Sequence, residues 1–159
     1  MASDIFVKLG DIKGESLDDK HKDEIEVLSF SWGVANSGVI SSGGGGGARK
    51  TTFQDLSIVR NLDKASPLLL KACATGTHIK EATITHRKAG KGPQDYFIVK
   101  LSDVIITGVT HGGGAGQPIT ENVTLAFAKV DLEYKPQKRD GSLDVGIQFK
   151  HDIKSTKPR

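Results

Sequence analysis

One cysteine, Cys73, stands among 159 residues. No intramolecular disulfide can form, and the fold must rest on packing alone. Cys73 lies in the apolar run Leu68 to Ala74, where a small core residue is expected rather than a nucleophile. Aromatic side chains are scarce, with one Trp and two Tyr, so a sugar-binding surface would lack its stacking platforms. No stretch approaches the roughly 18 consecutive apolar residues of a membrane-crossing helix. The opening Met1-Ala2-Ser3-Asp4-Ile5-Phe6-Val7-Lys8 has no basic segment followed by an apolar one. We therefore expect synthesis in the cytoplasm without a signal peptide and no use of the general secretory route. A charge excess of one sign is also missing from the body. The formal net charge is +3, and Lys150, Lys154, Lys157 and Arg159 against Asp152 hold all of it. The other 149 residues balance, so a basic nucleic-acid face is not expected. Residues 152–159 read as a solvated basic tail.

Catalytic patterns are missing too. His21, His78, His86, His111 and His151 include no i, i+4 pair, and no cysteine pair accompanies them, so no metal site is expected. No G-x-S-x-G elbow occurs. Asp18, Asp19, Asp23, Glu24 and Glu26 read as a solvated loop and strand edge, with no apolar surroundings to raise one pKa. Gly44 to Thr51 comes within one residue of a phosphate-binding loop, but Arg49 replaces the glycine before the lysine. Strand-like Thr51-Thr52-Phe53 follows where a helix is required. The chain reads as a non-enzyme without cofactor or metal.

Glycine is plentiful, at 19 residues. Gly43–Gly47 and the group Gly112, Gly113, Gly114 and Gly116 hold nine of them, in two short loops. Between the loops, strand patterns dominate. Ile5, Val7 and Leu9 alternate in a first strand. Glu24 to Val34 changes phase between Val27 and Leu28, which predicts a bulge or a strand buried partly on both faces. In this segment Leu28, Phe30 and Trp32 are expected to face a core, with Ser29 and Ser31 opposite. Strands follow over 51–59, 79–87, 94–101, 104–109, 119–134 and 143–151, the longest changing phase between Phe127 and Val130. One helix interrupts them, with Ser66 expected as its N-cap, Pro67 in its first turn and Gly76 as its stop. About eight strands and one short helix predict a mainly β, antiparallel barrel or sandwich. It forms a single domain over 1–159 with a flexible glycine-rich loop at 36–50, and no fused toxin domain is expected.

Several motifs, in order along nearly the whole chain, carry a family resemblance. They begin with Gly14-Glu15-Ser16, His21 and the run Glu24 to Gly33. Ser66-Pro67, Gly76-Thr77-His78-Ile79, Arg87-Lys88-Ala89-Gly90 and Asp103-Val104 continue the series. Gly113-Gly114 with Glu121, then Tyr134-Lys135-Pro136-Gln137 and Asp140-Gly141, complete it. Together they resemble the haemolysin-coregulated proteins (Hcp) of bacterial type VI secretion. His151-Asp152 stands where that family often has Trp-Asp.

The resemblance implies a barrel with one flanking helix, assembled as a homo-hexameric ring. Rings would stack into an inner tube, driven by a contractile sheath from a baseplate behind a VgrG-type spike protein. The lumen would hold small effector proteins, and the protein would leave the cell by this route, without membrane insertion. We expect the loop residues Gly43, Gly44, Gly45, Gly46, Gly47, Arg49 and Lys50 to mediate ring stacking, and Ser29 and Ser31 to face the lumen. The alternatives are a specialised secreted member acting mainly as effector carrier and, from another class, a ligand-binding β-barrel module.

Overall fold

The computed structural model describes residues 3–36, 38, 51–88, 92 and 94–154. The expected stacking loop, Gly43–Gly47 with Arg49 and Lys50, lies outside the described residues, and of the near-match to a phosphate loop only Thr51 is described, in a strand as expected.

In chain order the strands are β1 (Ser3–Leu9), β2 (Ile25–Val27), β3 (Ser29–Ser31), β4 (Val34–Asn36), β5 (Thr51–Phe53) and β6 (Leu56–Asn61). The helix α1 (Ser66–Thr75) follows, then β7 (His78–Lys88), β8 (Gln94–Gly112), β9 (Thr120–Tyr134) and β10 (Ile147–Asp152). All pairings are antiparallel, and the main sheet runs β2-β1-β7-β8-β9-β6-β3 with β10 added to β9.

The phase change at Leu28 is what bends this sheet round. Before it, Val27 pairs with Ile5 of β1. After it, Ser29 pairs with Val59 of β6. The two ends of the sheet are therefore joined by a single residue, and the sheet is a nearly closed barrel. Ile25 and Val27 are buried, and Phe30 and Trp32 are half-buried against the core, as their spacing predicts. Leu28 is not: it is 58% exposed, because its amide bonds to the Val59 carbonyl at the corner where the chain changes partners.

A second phase change shapes the long strands. In β8 the buried residues are Val99 and Leu101, then Val104 and Ile106; in β9 they are Glu121, Val123 and Leu125, then Ala128 and Val130. The inward parity switches in both strands where Asp103 adopts φ 53°, a left-handed conformation that Asp tolerates better than most residues. One continuous β8 results where two strands, 94–101 and 104–109, were expected. The expected strand over 51–59 instead breaks at Gln54-Asp55, and the expected strand over 143–151 is regular only from Ile147.

The helix begins one residue earlier than predicted. Ala65 is the N-cap, and Ser66 is buried inside the first turn. The Ser66 hydroxyl accepts the Asp63 amide at 3.2 Å, so it braces the turn before the helix instead of capping it. The stop is as predicted: Gly76 is left-handed at φ 62°. Its amide reaches the Cys73 carbonyl, and the Thr77 amide reaches Ala72, which closes the helix end. Leu69 and Ala72 enter the core, while Leu68 is exposed and Cys73 is only half-buried. The helix is thus held by a narrower stripe than its spacing suggested.

Candidate functional site

A polar outward face is built here from sheet alternation. On β6, Leu56, Ile58 and Arg60 point inward and Ser57, Val59 and Asn61 outward. Register carries that outward face sideways. Ser31 lies opposite Ser57, and Ser57 opposite Thr124 of β9. Ser29 lies opposite Val59, Val59 opposite Asn122, and Asn122 opposite Thr110 of β8. Ser29 and Ser31 are both exposed. Neighbouring side chains satisfy one another: the Ser57 hydroxyl donates to Asn122 Oδ1 at 3.1 Å, and Thr107 and Thr124 share a bond of 2.8 Å. A Cβ at Gly108 would come within 2.9 Å of Thr124 Oγ1, so glycine keeps this part of the face shallow. The rows Ser31-Ser57-Thr124 and Ser29-Val59-Asn122-Thr110 contain no charged side chain.

Beneath this face sits a buried ionic cluster. Arg60 and Glu121 are both fully buried, on adjacent strands and opposite one another in register. The guanidinium donates to Glu121 Oε1 at 2.6 Å and to the Ser66 hydroxyl at 3.3 Å, and it pairs with Asp63. The other Glu121 oxygen meets His111 Nε2 at 2.6 Å. Four elements, β6, α1, β8 and β9, are therefore pinned to one charge centre. Isolated buried charges are expensive, and this pairing is what makes burial tolerable. Sequence motifs supplied Glu121 but not its partners. The signal was present: Arg60 occupies the inward position in the alternation Leu56, Ile58, Arg60.

A second polar cluster is built around β1 and β7. Phe6 points outward from β1 and is covered by the loop 10–24. The His21 ring stacks on Phe6 at 4.6 Å, and the Arg87 guanidinium also lies over that ring at 4.9 Å. Arg87 donates to Asp18 at 2.6 Å and to Asp4 at 3.3 Å. His21 pairs with Glu24 and, at 3.2 Å, with Asp95. The carboxylates Asp18 and Glu24, expected to be solvated, are thus structural partners. The hydrogen bond from Arg87 holds the Asp18 carboxyl well below the usual carboxylate range. Reciprocally, that bond raises the Arg87 pKa.

His86 belongs to an aromatic group at the barrel end. Its Nδ1 lies 3.3 Å from the Tyr96 hydroxyl, and Phe30 meets its ring edge-on. Burial pushes its pKa down. His151 stacks on Phe53 at 4.9 Å and so anchors the β4–β5 hairpin through its ring. No group of three or more potential metal ligands converges among the described residues, and no described helix is long and apolar enough to cross a membrane.

This is the architecture of a barrel protein whose polar chemistry braces walls and whose open faces suit contact with other proteins. The family model described as "Type VI secretion system effector, Hcp" matches residues 6–134, and the chain belongs to that family. It is 49% identical over 148 residues to Protein hcp1 of Pseudomonas aeruginosa, covering 92% of this chain and 91% of that protein. Among solved structures, Hcp1 from Salmonella typhimurium superposes with a TM-score of 0.79 at 37% identity, covering 97% of each chain. A type VI secretion system effector from Yersinia pestis superposes with a TM-score of 0.77 at 34% identity, covering 94% of this chain and all of that one. The chain is therefore a type VI secretion protein with the Hcp barrel fold.

Proposed function

We propose that six copies of this chain close into a ring, that rings stack into the inner tube of a type VI apparatus, and that the lumen carries small effector proteins. The observation that supports this reading most is the face of small polar side chains built around Ser29, Ser31, Ser57 and Asn122, where Asp55, which accepts from Thr107 at 2.7 Å, is the neighbouring charge. A lumen must hold varied cargo loosely and release it. Small hydroxyl and amide side chains offer hydrogen bonds without committing to one charge pattern, and their mutual bonds keep the wall smooth. The sheath, spike and baseplate act on the assembled tube from outside this face. The loop containing Gly43–Gly47, Arg49 and Lys50 makes the contact between successive rings. Export follows the type VI route, and the protein acts as a structural carrier and not as an enzyme.

The test is Ser31→Arg. A long charged side chain placed in the lumen would reduce co-purification of effector cargo at least tenfold, while rings remain visible by electron microscopy. Unchanged cargo capture by intact Ser31→Arg rings would contradict the lumen assignment.

A further inference from the structure

The balanced charge of the body is not evenly spread. A groove of about 640 Å³ runs between the loop 10–24 and strands β1, β2 and β6. Its walls carry five carboxylates and two arginines. Both arginines are already engaged, Arg87 with Asp4 and Asp18, and Arg60 with Asp63 and Glu121. Glu15 and Glu26 remain exposed, without an ion-pair partner among the described residues. Arg60 Nε and Arg87 Nη1 are buried in the same wall without an acceptor, so a lone chain leaves this wall incompletely satisfied.

Apolar side chains line the same groove. Leu17 is 89% exposed, and Leu28 and Leu62 accompany it. Leu17 is not exposed through slackness of its loop, because its neighbour Ser16 is fully buried and bonds through its backbone to Asp23 and Glu24. The backbone holds Leu17 outward.

A second groove, of about 870 Å³, lies between α1 and strands β1 and β7. Here the sign is reversed. Lys8, Lys71, Lys80 and Lys100 are exposed and have no ion-pair partner among the described residues, against the two carboxylates Asp11 and Glu81. Exposed Leu68 of α1 lies in this groove.

Each groove repels a copy of itself and attracts the other. A two-fold dimer built on either would set like charges together, whereas a head-to-tail contact pairs unlike charges and meets leucine with leucine. We propose that the acidic groove of one copy receives the lysine face of the next, with Leu17 set against the Leu68 region, as the joint that repeats round the ring. This inference rests on the ring reading and names the surfaces that would close it.

Two charge-reversed variants test it. The first is Glu15→Lys with Glu26→Lys, and the second is Lys71→Glu with Lys80→Glu. All four positions are exposed, and circular dichroism verifies that each variant folds. Each alone should associate at least tenfold more weakly than wild type and sediment as a monomer. Mixed in equal amounts, they should form rings again, since every joint of an alternating ring then pairs unlike charges. Rings formed by either variant alone, or folded variants that fail to recover on mixing, would overturn the pairing. If a charge variant fails to fold, Leu17→Ala supplies the decision: association weakened about tenfold supports the joint, and unchanged association overturns it. A monomeric wild type would instead remove the ring reading itself.

Discussion

The guanidinium of Arg60 and the carboxylate of Glu121 meet at 2.6 Å, fully buried, across 61 residues of sequence. Removing one partner leaves the other charged and without its main compensation. Glu121→Ala is therefore expected to cost roughly 3–5 kcal/mol, or on the order of 10 °C in Tm. The apolar double variant Arg60→Met with Glu121→Leu should cost clearly less than the two single changes summed. Thermal unfolding of wild type, Arg60→Met, Glu121→Leu and the double variant checks it. Additive losses would show that the two residues act independently.

Asp18 gives an acid-sensitive term. Its folded pKa lies below its unfolded value because Arg87 donates to its carboxylate. The unfolded chain therefore binds the proton first as pH falls. The contribution is complete above the unfolded value of about 4 and is lost as pH drops through the folded one. Asp18→Asn keeps an oxygen for the Lys20 and His21 amides and loses the charge together with the oxygen that accepts from Arg87. The variant should be about 1 kcal/mol less stable at pH 7, and the gap should narrow below about pH 4. Urea midpoints across pH measure this, and a gap that widens in acid would contradict it.

Gly14 sits where the loop 10–24 crosses the start of β2. A Cβ there would lie 2.6 Å from the Glu24 carbonyl oxygen and 2.7 Å from Ile25 Cα. Both obstacles are backbone and cannot rotate away. Gly14→Ala should cost roughly 1–3 kcal/mol and loosen the loop that covers Phe6. Faster hydrogen exchange at the Ser16 and Asp23 amides, which close this loop on Glu24 and Ser16, would report it. Unchanged exchange and an unchanged Tm would show that the loop yields.

Much of this architecture was legible in the sequence, for reasons tied to particular residues. Alternation at Ile5, Val7 and Leu9 and the break after Val27 gave the strands and the bend, because a two-residue period leaves few alternatives. Gly76 gave the helix stop, because left-handed backbone favours glycine. The exposure of Leu28 was hidden, since its position depends on β6, more than twenty residues away in the chain. Ser66 was misassigned for a similar reason: its hydroxyl serves the Asp63 amide and Arg60, not the helix amides. The partners of Glu121 were readable only by asking why Arg60 interrupts an apolar face.

The proposed stacking role of the glycine-rich loop is tested separately from the ring. Deletion of Gly43–Gly47 should leave ring mass unchanged by light scattering and abolish longer tubes under crowded conditions. Tubes that form normally from the deleted protein would contradict the stacking role.

Closed rings with a lumen are the central claim, and electron microscopy of the purified wild-type chain tests it most directly. The account predicts six-membered rings with an open centre. A uniform population of monomers at the same concentration would contradict it.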